Sequence, residues 1–565
     1  MEHNGVKAVS PNEISTLMAN YYADLTVPDP KVVIADEDAE NSTTILQSFT
    51  VSCEDVITAI KTMPHTTSSG QDGISIKFFK SYVNEISPIL QKVFIKCFAE
   101  SVVPDSLKVA TVIPIYKRKG VRSSPLNYRP ISILPTASKI MEKIVQRQIC
   151  DYLDTNKLLD DCQHGFQKNL STTIATMKLT EDIFRAGENK LPTTAVFIDL
   201  SKAFDVVSHA KLLSKMKSKG IAGTAFKWME SYLSDRYLQV KLPNATSQPV
   251  PLRGSVPQGS ILGPILFNIY LDGIQKSVKK AKILMYADDI VLYLSEKLET
   301  VKNDPQTDLD NLCDWLDDIG MKINATKTKL MTFKNSTSTD LKIKIRGKEI
   351  ELVPAYKYLG IWLDDKLSFK CHLHSVCKKM SDRIHFLNRH KSHFSLKFLK
   401  CFSDSLILSV SHYCLIIWGN LCKSDIANLD RLYNSIMKNL FPRIYSSSKN
   451  NYFDCLEKLN WPSAAEYRDF FMLQFFYKYY LCTERTKNIF KEYFKIKVSE
   501  RETRSQYDFE VPSIFSAFAR RSYTYTTVKL WNSLPSKIKT EETYSGFCSS
   551  LKLHILKQRE NEFTS

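Results

Sequence analysis

The chain has 565 residues, 43% of them hydrophobic and 11% aromatic, which indicates a folded protein of several subdomains and excludes a largely disordered one. No apolar run reaches the roughly 18 residues of a membrane span, and the N-terminus lacks the apolar core of a secretion signal. The net charge of +17 comes from two segments, 108–147 with nine basic and one acidic residue and 341–400 with fourteen and five, while the remainder is balanced. Two such segments suggest a polyanion held between two elements, although two solvated surfaces would give the same charge.

The thirteen cysteines are scattered and odd in number, which predicts reduced thiols in a cytosolic or nuclear protein. Cys371, His374 and Cys377 are spaced three and three, a pattern that either helix-surface residues or three zinc ligands would give. No fourth ligand is evident, which favours the helix surface.

The first part of the chain predicts helices with one strand among them. Residues 1–50 are polar and include Val27-Pro28-Asp29-Pro30, so a partly ordered lead-in is expected. Apolar periodicity and turn residues then predict the following elements: a helix over 51–63, a loop over 68–73, a second helix to about 98, a strand over 110–116 and a helix over 140–153.

The pattern changes at residue 194, where an apolar strand over 195–198 ends at Asp199. The elements predicted after it are a helix around 228–233, a hairpin over 240–255, a helix from 257 to about 274, a strand over 283–295, a helix around 309–319, strands over 342–346 and 358–363, and mostly helix beyond 370. This order predicts an α+β fold with helices on one face of an antiparallel sheet.

Three acids stand inside or at the end of apolar strands: Asp199, Asp288 and Asp289. The flanking residues predict that Asp288 and Asp289 are buried, which is costly for unpaired charge. If the two strands are neighbours, the carboxylates converge and repel unless a cation intervenes, and Mg²⁺ suits such oxygen ligands. Together with the basic segments, a two-metal acid site predicts nucleotidyl transfer on nucleic acid. Asp205 is interpreted instead as a cap of the Val206-Val207 segment.

Eight sequence motifs follow one another along the chain: "SSGQDGIS" at 68–75, "NYRPISIL" at 127–134, "QHGFQKNLST" at 163–172, "FIDLSKAFDVVSH" at 197–209, "GSVPQGSILGPILFNIYLDGI" at 254–274, "YADD" at 286–289, "NATKTKLMTF" at 324–333 and "YKYLGIWLDD" at 356–365. In kind and order they resemble the motifs of the reverse transcriptases of non-long-terminal-repeat (LINE-type) retrotransposons, and the sequence is most similar to jockey-like elements. The tail resembles the ends of such polyproteins through "HYCLIIWG" at 412–419 and "VKLWNSLPSKIK" at 528–539.

The resemblance implies a right-hand polymerase that adds dNTPs to a primer 3′-OH on an RNA template, using two Mg²⁺ ions for which Mn²⁺ could substitute. It implies metal ligation by Asp199 and Asp288 with Asp289 in support, and a general acid at Lys327, with Lys329 as the competing choice. The residues implied at the incoming dNTP are Lys117, Arg129, Phe204 and Gln258, and those implied at the primer-grip turn are Leu359 and Gly360.

Two of these roles have a simpler alternative. Phe204 would exclude a ribose 2′-OH by its bulk, but an aromatic residue at this position could equally belong to the core. Lys117, Arg118 and Lys119 are consecutive, so the sequence leaves open which cation reaches the triphosphate, and a solvated basic turn would look the same.

The resemblance also implies a domain order. It predicts a polar lead-in over 1–50, fingers with an N-terminal extension over 51–190, a palm interleaved with the fingers over 191–340, a primer grip and thumb or connection over 341–440, and a helical region of unknown role over 441–565. Only about 50 residues precede the first motif, so an N-terminal endonuclease is expected to be lacking. The basic-aromatic stretch 519–531 is expected either to bind RNA or to pack.

The expected partners are an RNA template, a DNA primer or target and dNTPs, with an element-encoded RNA-binding protein as a further candidate and no membrane. The expected location is a ribonucleoprotein in the nucleus and cytoplasm. A catalytically silent or host-adopted nucleic-acid-binding protein with the same fold is the main alternative, which the three acids disfavour. An RNA-synthesising polymerase is a third, which Phe204 disfavours.

Overall fold

The computed structural model describes residues 1–26, 44–296, 304–333, 342–447, 452–497 and 508–564. Helices and strands alternate up to Asp364 and helices dominate afterwards, as expected of the α+β class. Among the helices of these ranges, none combines the length and the apolar character needed to cross a membrane.

The strands form two larger sheets and three two-stranded ones within the described ranges. Their bounds are β1 Glu2–His3, β2 Val6–Lys7, β3 Val109–Tyr116, β4 Tyr128–Ile133, β5 Thr193–Asp199, β6 Arg236–Leu242, β7 Ala245–Thr246, β8 Val250–Leu252, β9 Lys282–Tyr286, β10 Asp289–Ser295, β11 Lys329–Phe333, β12 Lys344–Ile345, β13 Lys348–Glu349, β14 Glu351–Leu352, β15 Ala355–Tyr358 and β16 Ile361–Asp364.

The helices up to Asp318 surround these sheets. Their bounds are α1 Pro11–Asp24, α2 Cys53–Thr62, α3 Ile76–Ser81, α4 Val83–Ala99, α5 Thr136–Thr155, α6 Thr172–Glu188, α7 His209–Ser218, α8 Gly223–Leu233, α9 Gly263–Leu271 and α10 Asp304–Asp318. The helices predicted over 51–63 and 140–153 are therefore confirmed as α2 and α5. The helix predicted to open at Pro257 begins only at Gly263, because residues 257–262 form a turn.

Beyond residue 370 the described chain is mostly helical, as predicted. The bounds are α11 Lys370–His390, α12 Leu396–Phe402, α13 Ser409–His412, α14 Leu415–Trp418, α15 Lys423–Leu440, α16 Pro442–Ser447, α17 Tyr452–Leu459, α18 Ala464–Phe476, α19 Glu484–Phe490, α20 Tyr523–Ser533, α21 Ser536–Lys539 and α22 Tyr544–Thr564.

The central sheet has the strand order β14-β11-β5-β10-β9. All neighbouring pairs are antiparallel except β11 with β14. Alternate residues of β5 belong to two different hydrophobic cores: Val196 and Ile198 to one, Ala195 and Phe197 to the other. The expectation of helices on one face is therefore wrong. A strand that is apolar at consecutive positions must be covered on both sides.

The second sheet has the order β4-β3-β6-β7, with β8 paired to β6. One face, with Val112, Leu238 and Val240, packs against α1. On the other face Ile113 and Ile115 are exposed. The second sheet is therefore covered on one side and open on the other.

The N-terminal residues contribute more structure than a lead-in. Ser10 and Glu13 form a capping box at the start of α1, in which each side chain accepts a hydrogen bond from the other's backbone N–H. Residues 1–26 thus form a hairpin and a helix on the second sheet, while the predicted break at 27–30 lies outside the described residues.

The C-terminal helices cover the second face of the central sheet through α6. Glu181 of α6 is 2% exposed and accepts hydrogen bonds from the backbone N–H groups of Tyr523 and Thr524, which caps α20. The adjacent Asp182 accepts hydrogen bonds from the Tyr493 hydroxyl at 2.6 Å and the Tyr293 hydroxyl at 2.7 Å. Of the two roles expected for residues 519–531, packing is the one that the structure shows for the start of α20.

Candidate active site

Asp199 and Asp289 lie directly opposite each other on paired strands. β5 and β10 are antiparallel with these two residues in register, so their side chains share one face at one end of the central sheet. Asp288 is the second residue of the two-residue turn, Ala287-Asp288, that joins β9 to β10. The structure thus brings together the three carboxylates that the sequence singles out.

The strands that carry these acids are buried, but the acids themselves are not. Ile290 and Val291 are at most 1% exposed, whereas Asp288 and Asp289 are exposed. The expectation of buried charge is therefore wrong, because the turn lies at the end of the sheet and carries the acids out of the core. Protein still surrounds them on several sides, so they are only partly hydrated.

The electrostatics of the three acids favour a bound cation. Partial burial raises the pKa of Asp289 to about 6, and the carboxylates of Asp288 and Asp199 act in the same direction. Burial also raises the pKa of Asp288, with a further contribution from Asp199 that Arg129 opposes. Like charges gathered in this way are relieved by a proton or by a cation.

The donor set fits a divalent cation that prefers oxygen ligands, such as Mg²⁺ or Mn²⁺. Among the residues that the structure describes, no group of three or more His, Cys, Asp or Glu side chains already encloses an ion position. An ion held by Asp199, Asp288 and Asp289 would therefore take further ligands from water or from a bound substrate.

Lys327 reaches the acids and Lys329 does not. The Lys327 Nζ lies 3.3 Å from Asp199 Oδ2, at the end of a turn whose Asn324 N–H donates to the backbone carbonyl of Asp199. Lys329 lies on β11, and its Nζ lies 2.6 Å from Glu351 Oε2. The sequence left the choice between the two lysines open, and the structure places Lys327 beside one of the three aspartates and Lys329 beside Glu351.

The first basic segment brings Lys117 and Arg129 to the same side as Lys327. Lys117 follows β3, and Arg129 stands in β4 opposite Ile115. Burial lowers the pKa of Lys117, and the charges of Arg129 and Lys327 lower it further. The charge of Lys117 is therefore coupled to those of Arg129 and Lys327.

Gln258 is hydrogen-bonded to Asp205. The prediction that Asp205 caps the Val206-Val207 segment is wrong. The Gln258 Nε2 donates to Asp205 Oδ1 at 3.1 Å, and burial raises the pKa of Asp205 to about 6. Asp205 does not cap a helix, because α7 begins at His209 with Ser208 as its cap. Its position next to Phe204 was the only sequence signal for a place in the site.

Gly259 allows the turn that holds Gln258 to lie against β4. Its φ of +127° is rarely adopted by other residues, and a Cβ there would lie 2.2 Å from Ser132 O. The Ser132 N–H donates to Gln258 O at 2.8 Å. The turn is therefore joined to the same strand that carries Arg129.

Phe204 has features of a core residue and of a residue that contacts the nucleotide, the two alternatives left open by the sequence. Its ring is half-buried and stacks on Phe267 of α9, with centroids 4.3 Å apart and an interplanar angle of 22°. The residue is thus not fully buried and keeps an accessible part. The structure is thus compatible with a core contact on one side and a substrate contact on the other.

Leu359 and Gly360 form the turn between β15 and β16, so the strand predicted over 358–363 is a hairpin. Both turn residues have positive φ, +44° and +90°. The Tyr413 hydroxyl donates to Leu359 O at 2.7 Å, and a Cβ on Gly360 would lie 3.1 Å from the Tyr413 ring. No local sequence pattern marks Tyr413 as a contact of this turn.

Cys371, His374 and Cys377 lie in α11, within the second basic segment, as their helical spacing predicts. Cys371 and His374 are exposed and Cys377 is half-buried. The buried side of α11 is formed by apolar residues such as Val376 and Met380. Nothing in the described residues links the three into a shared ligand set.

Comparison with known proteins adds independent support for the family. Residues 115–363 match the family described as reverse transcriptase (RNA-dependent DNA polymerase), and all ten predicted site residues lie in this range. The chain is 30% identical over 398 residues to a probable RNA-directed DNA polymerase from transposon BS of Drosophila melanogaster, covering 68% of this chain and 44% of that protein.

Two further relatives come from the same organism. The RNA-directed DNA polymerase from mobile element jockey is 27% identical over 387 residues, which cover 66% of this chain and 42% of that protein. The probable polymerase from transposon X-element is 26% identical over 343 residues, covering 59% and 38%. The chain spans less than half the length of the curated relatives it matches. Residues 115–363 therefore form a domain of the reverse transcriptase family, and the chain is similar to RNA-directed DNA polymerases of mobile elements such as jockey.

Proposed function

We propose that this protein is an RNA-directed DNA polymerase that adds dNTPs to a primer 3′-OH paired with an RNA template. The observation that carries the proposal is the meeting of Asp199, Asp288 and Asp289 at one end of the central sheet, with Lys327 beside Asp199 and the charge of Arg129 acting on Asp288. A nucleotidyl-transfer site needs carboxylates that bind metal ions and, next to them, cationic side chains that bind the triphosphate.

A reverse transcriptase domain implies dependence on a divalent metal. We propose that this metal is Mg²⁺ and that the three aspartates hold two such ions. When bound, such ions lower the pKa of the attacking hydroxyl and offset charge on the phosphates. Arg129 offers a planar fork suited to phosphate oxygens, and Lys117 offers a compact cation. Lys327, released from its contact with Asp199, can donate a proton to the pyrophosphate as it leaves.

Phe204 and Gln258 would define the pocket for the nucleotide. The accessible part of the Phe204 ring would occupy the space of a ribose 2′-OH. Asp205 accepts from the Gln258 Nε2, which leaves the Gln258 Oε1 to face the base or sugar of the incoming nucleotide. Asp205 is therefore a positioning residue that fixes the orientation of this amide.

We assign residues 51–190, with β3, β4 and the helices around them, to fingers. Residues 191–340, which carry β5, β9, β10 and β11, are assigned to a palm that is interleaved with the fingers, and the turn at Leu359-Gly360 to a primer grip that leads into a thumb by residue 440. The helix α11 carries exposed Lys378 and Lys379, which could contact a phosphate backbone without reading sequence. Residues 441–565 would support the palm from behind. The protein is expected in nuclear and cytoplasmic ribonucleoproteins, which cell fractionation with RNA cross-linking would test.

Primer extension by the purified protein tests the proposal. Wild-type protein should extend a DNA primer on an RNA template with dNTPs and Mg²⁺. Asp288→Asn should abolish extension while leaving the affinity for the primer–template within about twofold, because binding depends mainly on the basic segments.

Two results would contradict the proposal. Wild-type protein that binds the primer–template but makes no product would favour the silent nucleic-acid-binding protein. Normal extension by Asp288→Asn would show that this acid is not a metal ligand.

A further inference from the structure

Gln163 contacts the backbone of the turn that carries Asp288. Its side chain is 3% exposed. The Oε1 atom accepts hydrogen bonds from Ala287 N–H at 3.0 Å and from Gly165 N–H at 2.7 Å. The Nε2 atom donates to Ala287 O at 3.4 Å. One side-chain amide therefore holds both backbone polar groups of the residue that precedes Asp288.

The turn needs such support because of its backbone conformation. Ala287 has φ +57°, a left-handed conformation that is unfavourable for a residue with a Cβ. Ala287 is also 6% exposed, so its backbone N–H and carbonyl have little access to water. An unpaired buried polar group is costly, and Gln163 supplies the partner.

The position of Gln163 is itself fixed from three sides. The His164 N–H donates to Met285 O at 2.7 Å, and the Met285 N–H donates to Cys162 O at 2.8 Å, so the segment runs along β9. The Asn268 Nδ2 of α9 donates to Gly165 O at 2.9 Å. A Cβ on Gly165 would lie 2.4 Å from Ala287 N, so this close approach requires glycine.

We propose that Gln163 is a positioning residue for nucleotide addition, and that it sets the place of the Asp288 carboxylate through the backbone of Ala287. This inference rests on the proposed function, since it assumes that Asp288 holds a metal. In this role Gln163 does not contact the substrate. Its loss should lower kcat and weaken metal binding, while the KM for dNTP and the affinity for primer–template, set by Lys117, Arg129 and the basic segments, stay nearly unchanged.

The chain provides a matched control for this test. Gln148 of α5 makes the same pair of contacts with another residue, accepting from Thr50 N–H at 3.0 Å and donating to Thr50 O at 2.8 Å. Gln163→Leu and Gln148→Leu remove equivalent hydrogen bonds, but only the first removes them beside Asp288. Both variants should be less stable, and only Gln163→Leu should lose kcat per folded molecule, by at least about tenfold.

Two further measurements guard against a trivial loss of folding. Gln163→Glu keeps the acceptor and, when protonated in this buried place, a donor, so it should recover most of the lost kcat. Mn²⁺ titration followed by electron paramagnetic resonance, on a complex with a chain-terminated primer and dNTP, should show weaker binding for Gln163→Leu than for Gln148→Leu.

The outcomes separate the inference from the proposed function. Equal kcat and equal Mn²⁺ affinity in the two leucine variants would overturn the role of Gln163. If wild-type protein does not extend a primer, the proposed function fails and the Mn²⁺ titration alone decides whether Gln163 positions Asp288. A rise in KM for dNTP with unchanged kcat would also overturn the inference, since it would place Gln163 at the nucleotide.

Discussion

Replacement of Phe204 by alanine should have two separable effects. The ring stacks on Phe267 at 4.3 Å and is half-buried. Full burial of a phenylalanine is worth about 3–5 kcal/mol against alanine, so a half-buried ring should contribute about 2 kcal/mol to the free energy of unfolding. If the accessible half excludes a ribose 2′-OH, the same change should also raise the use of rNTPs by at least about tenfold relative to dNTPs.

Urea denaturation measures the first effect, and single-nucleotide extension with matched dNTP and rNTP measures the second. Phe267→Leu is the control, because it removes the same stacking contact from a fully buried residue that cannot reach the nucleotide. It should lower stability without changing sugar selection. If Phe204→Ala loses stability but keeps the wild-type ratio of dNTP to rNTP use, Phe204 is a core residue and the gate assignment is refuted.

Three further predictions follow from contacts around the site and the C-terminal region. Lys327→Ala should lower the extension rate by about 10²-fold or more, as expected of a general acid, whereas Lys329→Ala should stay within about twofold in the same assay. Because the pKa of Asp289 is raised to about 6 in the folded protein, the folded state binds more protons than the unfolded state between about pH 4 and pH 6, and stability falls as the pH rises. Asp289→Asn should therefore stabilise the metal-free protein at pH 7.5 and flatten this pH dependence in urea titrations, and a destabilised variant would refute the repulsion. Tyr493→Phe removes one donor from Asp182 and should cost about 1–3 kcal/mol of stability without changing extension per folded molecule; a changed extension rate would show that this contact affects the site.

Local sequence patterns predicted the elements that carry the acids. The apolar run around Ala195 becomes β5, and the run that contains Asp288 becomes β9 and β10 with a turn between them. The acids meet because β5 and β10 are neighbours. The strand β11 was not predicted, because it has only five residues and they show little alternation of apolar and polar side chains. It also lies in residues 322–334, a segment with four lysines. The sequence also did not predict that one face of the second sheet is exposed, because exposure depends on which elements pack against that face.

The parts of the site that escaped prediction depend on contacts between distant residues. Asp205 meets Gln258 across 53 positions, and Tyr413 meets Leu359 across 54. Neither pair has a local signal, because an aspartate near a turn and a tyrosine in an apolar run have many uses. The choice of Lys327 over Lys329 likewise needed the structure, because Lys327 lies in the turn that precedes β11 and Lys329 is the first residue of that strand.

The C-terminal helices pack on α6, so the segment that matches the family is shorter than the segment needed for folding. The family match ends at residue 363, yet Phe197, Tyr293 and Met331 share a core with residues as late as Ile555. A fragment cut at the end of the match would expose this face of the sheet to water and invite aggregation. Any search for the smallest active polymerase in such elements should therefore shorten the chain from inside its loops and keep the C-terminal helices.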